Sequence, residues 1–345
     1  MMVKTGCFAV VMGLLVTATT VMADAKSGEK QLKEAHQYKQ QALNIGGYVQ
    51  ARWEGTLAGD EFPNAFRIRR AYLGASGNVG KCFSYKVLLT MPGPSVELYD
   101  AYVDVKPFKP LIIRVGQFQT PIGMEKLRSS SVILFPERTF SSGCHDFPLM
   151  DRDLGVMLAG KVKSIGAQVG IFNGEGRNVK VDINEAKDIT ARLTVKPIDY
   201  MHIGGAYQMG KRSTLDTLGE PTNDWKFNRW GAEFALNPWD LWFATEIMGG
   251  RDDTISLITY YAEAGWMFSV PLDWIHGVQP AVRYEAIDPN TDTAGDTRSI
   301  ITAGINLHFL PKHQAKLALC YRMITEERTE VDNDQIIAQL QLKFP

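Results

Sequence analysis

Alternation with a period of two residues runs through this chain almost to its last residue, and few architectures accommodate it at such length. Ile45, Gly47, Val49, Ala51 and Trp53 alternate with Gly46, Tyr48, Gln50, Arg52 and Glu54. Ile301, Ala303, Ile305, Leu307 and Phe309 alternate with Thr302, Gly304, Asn306 and His308. Ile336, Ala338, Leu340, Leu342 and Phe344 close the chain against Gln335, Gln339, Gln341 and Lys343. Successive side chains of a strand point to opposite faces, so each segment carries one apolar and one polar face. A soluble sandwich buries apolar faces by packing sheet on sheet, but here a polar, often charged face would have to meet water round a very large sheet. A closed membrane barrel with a wet lumen satisfies both faces and removes every edge. The expected fold class is all-β, a transmembrane antiparallel β-barrel.

Sixteen segments show the pattern: 44–54, 65–77, 82–91, 96–105, 111–118, 154–162, 165–173, 188–196, 201–209, 225–236, 241–248, 257–268, 278–287, 298–309, 315–323 and 335–344. An even count suits a single-chain barrel; errors of a few residues at each end leave fourteen and eighteen open. Connections alternate in length. Short turns fall at 106–110, 163–164, 197–200, 237–240, 271–277 and 310–314, and long polar ones at 55–63, 119–153, 174–187, 210–224, 249–256, 288–297 and 325–334. Short on one side and long on the other is the pattern of periplasmic turns and extracellular loops. Trp53, Tyr72, Trp225, Trp230, Trp239, Trp242, Trp266 and Trp274 lie near strand ends, where aromatic girdles belong.

The start of the chain reads as an export leader, residues 1–23. Lys4 is followed by an apolar run, Cys7–Ala18, and then by small residues at Val21-Met22-Ala23. A second segment, 24–43, is polar and rich in helix formers, and the barrel domain is expected over 44–345. The formal charge is −1, and removing Lys4 with the leader gives −2. Neither figure, nor any basic cluster, points to nucleic acid. Cys82, Cys144 and Cys320 follow the leader; three widely spaced cysteines are not a disulfide framework, though one pair could form in an oxidising compartment.

The stretch Gln119–Asp153 has no sustained period of either kind. It carries Ile122, Met124, Val132, Ile133, Leu134, Phe135, Phe140 and Phe147 together with Lys126, Arg128, Arg138 and Arg152. A loop of that length inside a compact domain is functional or disordered, and this composition wants a partly buried home. It is expected to fold into the lumen and narrow it. A barrel of sixteen strands leaves an aqueous channel unless something fills it.

FRIRRAYLGASGNVG (66–80), VELYDAYVDVKP (96–107), RVGQFQTPIGMEKLRSSSVILFPER (114–138), DRDLGVML (151–158), GIFNGEG (170–176) and ARLTVKP (191–197) resemble the phosphate-selective porin O and P family. The resemblance is specific in motif and order to about Pro197; beyond that it rests on strand pattern. It implies an outer-membrane barrel of sixteen strands, usually a trimer, whose third extracellular loop folds inward and whose basic side chains line an anion path. Gln119–Asp153 stands where that constriction loop would be. The chain departs from the pattern in its near-neutral charge and in a C-terminus that continues past Phe344 to Pro345.

Selectivity in such channels comes from charged rings and pore width. Strand parity turns Arg52, Lys86, Arg114, Arg192, Lys196, Arg229, Arg283 and Arg322 to the lumen, and at least one of Arg67, Arg69 and Arg70. The loop adds Lys126, Arg128, Arg138 and Arg152, and Arg114, Lys126, Arg128 and Arg138 are expected nearest the constriction. Arginine's planar fork suits oxyanions. The plainer alternative is that these cations pair with Glu54, Asp100, Asp104, Glu233, Glu246 and Glu285, also turned inward, or that the loop cations tie the loop to the wall through Asp100 or Glu137.

An outer-membrane enzyme is the rival class. The six histidines are scattered, no Gly-x-Ser-x-Gly elbow is present, and adjacent residues such as Cys144-His145 point apart on an extended chain. Metal-ligand spacing is lacking, so no cofactor and no metal are expected. The function expected is passive diffusion of small hydrophilic solutes, with a lean to anions such as phosphate, the partners being outer-membrane lipid, those solutes and two further copies in a homotrimer. A non-selective general porin and a plugged structural or adhesin barrel are the alternatives.

Overall fold

The computed structural model describes residues 43–344 apart from 92, 145, 150, 180, 181, 183, 185 and 216–220. The expected leader 1–23, the segment 24–42 and His145 therefore lie outside the described residues. The strands are β1 (Asn44–Thr56), β2 (Asn64–Val79), β3 (Phe83–Thr90), β4 (Glu97–Val105), β5 (Leu111–Gln119), β6 (Arg152–Val162), β7 (Ile165–Phe172) and β8 (Asp188–Val195). They continue with β9 (Met201–Leu215), β10 (Pro221–Leu236), β11 (Leu241–Asp252), β12 (Ile255–Trp266, resuming as Phe268–Leu272), β13 (Ile275–Asp288), β14 (Arg298–His308), β15 (Ala315–Glu326) and β16 (Gln335–Phe344). The two pieces of β12 pair with the same neighbour, β13, so the seventeen strand segments make sixteen barrel strands. Every strand is antiparallel to the next, and β1 pairs with β16 from Gly47↔Phe344 to Thr56↔Gln335, which closes the sheet.

The alternation read from the sequence is the inside–outside alternation of this barrel. On β14, Ile301 and Ile305 are exposed while Thr302 and Asn306 are buried; on β16, Leu340 and Leu342 are exposed while Gln339 and Gln341 are buried. A wall with apolar residues outside and amides inside is the reverse of a water-soluble sheet, and the exposed apolar surface far exceeds what a soluble monomer carries. Trp274 is 65% exposed at the short-turn end, as a girdle requires, whereas Trp239, 88% exposed in the turn at 237–240, borders a cavity shared with Trp242. Tyr72 and Trp242 do not join it. Tyr72 is buried on the inner face of β2, and the Trp242 indole donates to Glu263 inside the barrel at 2.8 Å.

Two connections expected to be long are shorter. β11 and β12 extend to Asp252 and Ile255, so only Asp253 and Thr254 turn between them, and β9 and β10 together take up most of 210–224. Beyond an apolar band both faces of a strand can be polar, so pairing continues where the alternation has stopped.

Two β-bulges distort the wall on one side. On β2 the register slips between Gln50↔Arg70 and Ala51↔Ile68, leaving Arg69 as the extra residue. On β4 it slips between Leu88↔Asp100 and Leu89↔Leu98, leaving Tyr99 extra. A bulge places two residues against one and breaks strict alternation. Arg69 and Arg70 therefore both face inward, as do Tyr99 and Asp100.

Candidate functional site

The segment between β5 and β6 lies against the inner side chains of the wall. Gly123 opens it at φ +81, a conformation that favours glycine. The single helical turn α1 (Met124–Leu127) follows, then a 3-10 turn at Phe140–Ser142. Internal bonds fix its shape. The Glu125 carboxylate accepts from the Thr139 N–H at 3.2 Å and the Thr139 hydroxyl at 3.0 Å, and also from Ser142. The Arg138 guanidinium donates to the carbonyls of Glu125 and Arg128.

Packing and polar bonds hold the loop to the wall. Ile122, Phe140 and Phe147 form an apolar cluster with Met248, Leu257, Ile287 and Ile300, and Leu134 and Phe135 pack with Cys320 and Ile337. Burying each such side chain is worth about 1.5–3 kcal/mol relative to exposure. The irregular stretch 130–137, a run of turns and bends, leaves most of its carbonyls without backbone partners, and wall side chains supply them. Gln50 donates to Ser130 O (3.1 Å), Gln341 to Ser131 O (3.0 Å), Lys316 to Ile133 O (3.0 Å) and Asn306 to Leu134 O (2.9 Å). Arg70 donates to Pro136 O and Arg283 to Glu137 O, each at 3.0 Å. On the far wall, Glu246 accepts the Met124 N–H at 2.7 Å and Glu285 the Phe140 N–H at 2.9 Å. Strand parity already turns Glu246 and Glu285 inward, but the amides Gln50, Asn306 and Gln341 carry no charge and escape a count of charged groups; their signal is polarity at inward parity on strands remote from the loop in sequence.

The Glu137 carboxylate is the loop's main ionic anchor. It takes both arms of Arg69 at 3.0 Å and pairs with Arg52. Burial works to raise this carboxyl, but the Arg69 hydrogen bonds and the charges of Arg52, Arg69 and Arg70 outweigh it and hold it below the usual carboxylate range.

The loop fills the side of the lumen lined by β10–β16 and leaves a cavity of about 470 Å³ against β1–β4. Eight basic side chains border this cavity (Arg69, Arg70, Lys86, Lys126, Arg128, Arg138, Arg152 and Arg177) against three acidic ones (Glu97, Asp100 and Asp151). Asp100 is shared by Lys86 at 2.8 Å and Arg152 at 2.6 Å, and Arg152 also meets Asp151 at 2.9 Å. Arg70 donates to neutral oxygens, Gln50 Oε1 and Pro136 O. Lys126 donates to Thr120 at 2.9 Å, and burial lowers its ammonium to about 7 against the opposing charge of Asp151. A second cavity of about 200 Å³ lies toward the short-turn end, and Arg128 borders both. Its guanidinium lies 4.0 Å from the Trp242 ring centroid and 3.7 Å from Glu263, and it donates to Val132 O at 3.0 Å.

The remaining basic residues singled out in the sequence lie away from this cavity. Arg114 forms a two-point pair with Asp104 at 2.7 and 3.0 Å, over the Tyr102 ring. Arg52 and Arg283 are buried in the loop's anchorage, Arg283 meeting Glu285 at 2.9 Å. Arg67 pairs with Glu54 at 2.6 Å, Arg192 with Glu233, and Arg229 with Asp252 at 2.7 Å. Arg322 donates to Gln335 at 2.6 Å, and Lys196 is exposed at the β8–β9 turn. Cys82, Cys144 and Cys320 are all free thiols.

A closed sixteen-strand barrel with an apolar exterior and a polar, charged interior is the architecture of bacterial outer-membrane porins. Residues 56–217 match the family model of the phosphate-selective porin O and P family. Among solved structures, OmpF of Salmonella typhi in complex with daunomycin is similar with a TM-score of 0.65 at 15% identity, over 88% of this chain and 98% of that one. OprB of Pseudomonas putida gives 0.65 at 12% identity, over 93% and 97%. The trimer form of OmpT, an outer-membrane protein of Vibrio cholerae, gives 0.59 at 11% identity, over 89% and 100%. At these identities the likeness is one of fold. No curated protein matches the chain.

Proposed function

We propose that the protein is a passive outer-membrane channel for small hydrophilic anions, phosphate among them. The observation that carries this reading is the charge of the open cavity, among the described residues eight basic side chains against three acidic ones. A lumen lined by one sign of charge concentrates counter-ions and sets permeability. Lys126, Arg128, Arg138 and Arg152 on the loop side and Arg69, Arg70 and Lys86 on the wall are the proposed path, with Arg128 bordering both cavities. Export through a cleaved leader, residues 1–23, and assembly as a homotrimer complete the proposal; the trimer form of a barrel with this fold supports the latter.

Planar-bilayer recording under a KCl gradient, with phosphate titrated in, tests it. The expected result is a reversal potential on the anion side and block of chloride current by phosphate. A reversal potential near zero would favour a general porin, in which pairs such as Lys86–Asp100 and Arg114–Asp104 cancel the field.

A further inference from the structure

The wall of the open cavity carries an aromatic feature that a path for inorganic anions does not need. Tyr48 on β1, Tyr72 on β2 and Tyr99 on β4 all border the cavity, and their rings follow one another with centroids 4.9 and 5.1 Å apart. The bulge on β4 creates this run, because it turns Tyr99 inward beside Asp100. Tyr72 is buried in the middle, while Tyr48 and Tyr99 are half-buried at the ends and meet open space. Guanidinium groups accompany the rings. Arg152 lies 3.4 Å and Arg177 5.1 Å from the Tyr99 centroid, and Arg70 reaches Gln50 two residues along from Tyr48.

An aromatic face carries negative charge density, so a bare anion gains nothing from the faces of these rings and could use only their hydroxyls. A ligand with a ring of its own is different. Its ring stacks offset on tyrosine while its anionic group reaches a guanidinium, and such pairs of stacking platform and cationic groove bind ring-bearing anions generally. The opposite side of the cavity supplies Lys126, Arg128 and Arg138 on the loop. A space of about 470 Å³ lies in the range that takes a small organic ligand.

We infer that the tyrosine run is a binding track for aromatic anions, of which an aryl carboxylate is the smallest, within the same passage. This rests on the channel reading above and names the ligand class that the passage favours. The test uses the mature protein in a planar bilayer and compares block of chloride current by benzoate, cyclohexanecarboxylate, acetate and glucuronate. Benzoate and cyclohexanecarboxylate match in charge and closely in size, and differ in the π-system. Benzoate is expected to block at about a five- to tenfold lower concentration than cyclohexanecarboxylate, as one aromatic pair warrants. Equal block by the two, or stronger block by glucuronate, overturns the inference. Tyr48→Leu and Tyr99→Leu should each lower the ratio of benzoate to phosphate block, while Tyr48→Phe and Tyr99→Phe keep it; Leu variants with an unchanged ratio would equally overturn it. Calorimetric titration of the detergent-solubilised barrel with the same four anions reads the preference even where no current passes. The reversal potential of the unmodified protein decides the channel reading separately, so failure of one is distinguishable from failure of the other.

Discussion

At the scale of single residues, the loop cations divide by what they touch. Arg138 spends its donors on backbone carbonyls of its own loop, whereas Arg128 borders both cavities. Arg128→Ala should therefore lower anion permeability by about fivefold, the worth of a charge about 4 Å from a passing anion in water, and so lower the anion-to-cation ratio. Arg138→Ala should instead loosen the loop, seen as faster proteolysis between β5 and β6 with a smaller change in ratio. Lys126 adds a pH dependence. Its ammonium titrates near 7 because burial lowers it, with Asp151 and Glu246 opposing and Arg152 and Arg138 reinforcing that shift. Charge is present below that pH and lost above it, so anion preference should fall as pH rises from 5.5 to 8.5, and Lys126→Gln should flatten the profile. An unchanged profile in the variant would assign the step to another group. The basic residues themselves were legible from strand parity and loop composition. Which of them stay available to a solute was not, because that depends on partners such as Glu137 and Asp100 that meet them only in the closed barrel.

The loop between β5 and β6 is the element on which the passage depends. Its tip is held by Glu137 against two arginines, one of them fully buried. Glu137→Ala removes one partner of Arg52, which keeps Glu54 and Gln339, and costs about 1.5–3 kcal/mol, the worth of a charge-assisted hydrogen bond. The expected outcome is a larger, noisier conductance; a conductance equal to the parent's would mean that the carbonyl bonds from Gln50, Gln341, Lys316 and Asn306 hold the loop by themselves. That this stretch would seek a buried home was legible in its mix of apolar and basic residues. Its position against β10–β16 was not, since the apolar partners Met248, Leu257, Ile287 and Ile300 sit one each on four strands that otherwise read as ordinary alternation. Strand positions were legible nearly throughout. The ends of β9–β12 were the exception, because pairing outlasts the apolar band that marks a strand in sequence.

For the molecule as a whole, the near-neutral total charge conceals a segregated one, since a lumen cavity with an excess of cations sits inside a chain of formal charge −1. The inside–outside division can be read by fluorescence in brominated lipid. Trp274→Phe should remove a large share of the quenching, because that ring is 65% exposed and stacks on Phe309 away from both lumen cavities, whereas Trp242→Phe should leave the quenched fraction almost unchanged. Equal effects would contradict the inward placement of Trp242. The two bulges bear on how such a barrel tolerates change in length. Loss of one residue within a strand reverses every side chain between the lesion and the next turn, exchanging lipid and water faces. Arg69 and Tyr99 are unpaired extras, and the registers on either side of each already agree without them. An in-frame loss of either codon would leave the remaining strand in register and the barrel able to close, while stripping one inward side chain from the passage. At Arg69 and Tyr99, then, a single-codon deletion acts as a point mutation of the lumen, and elsewhere along β2 and β4 it acts as a frameshift of the wall.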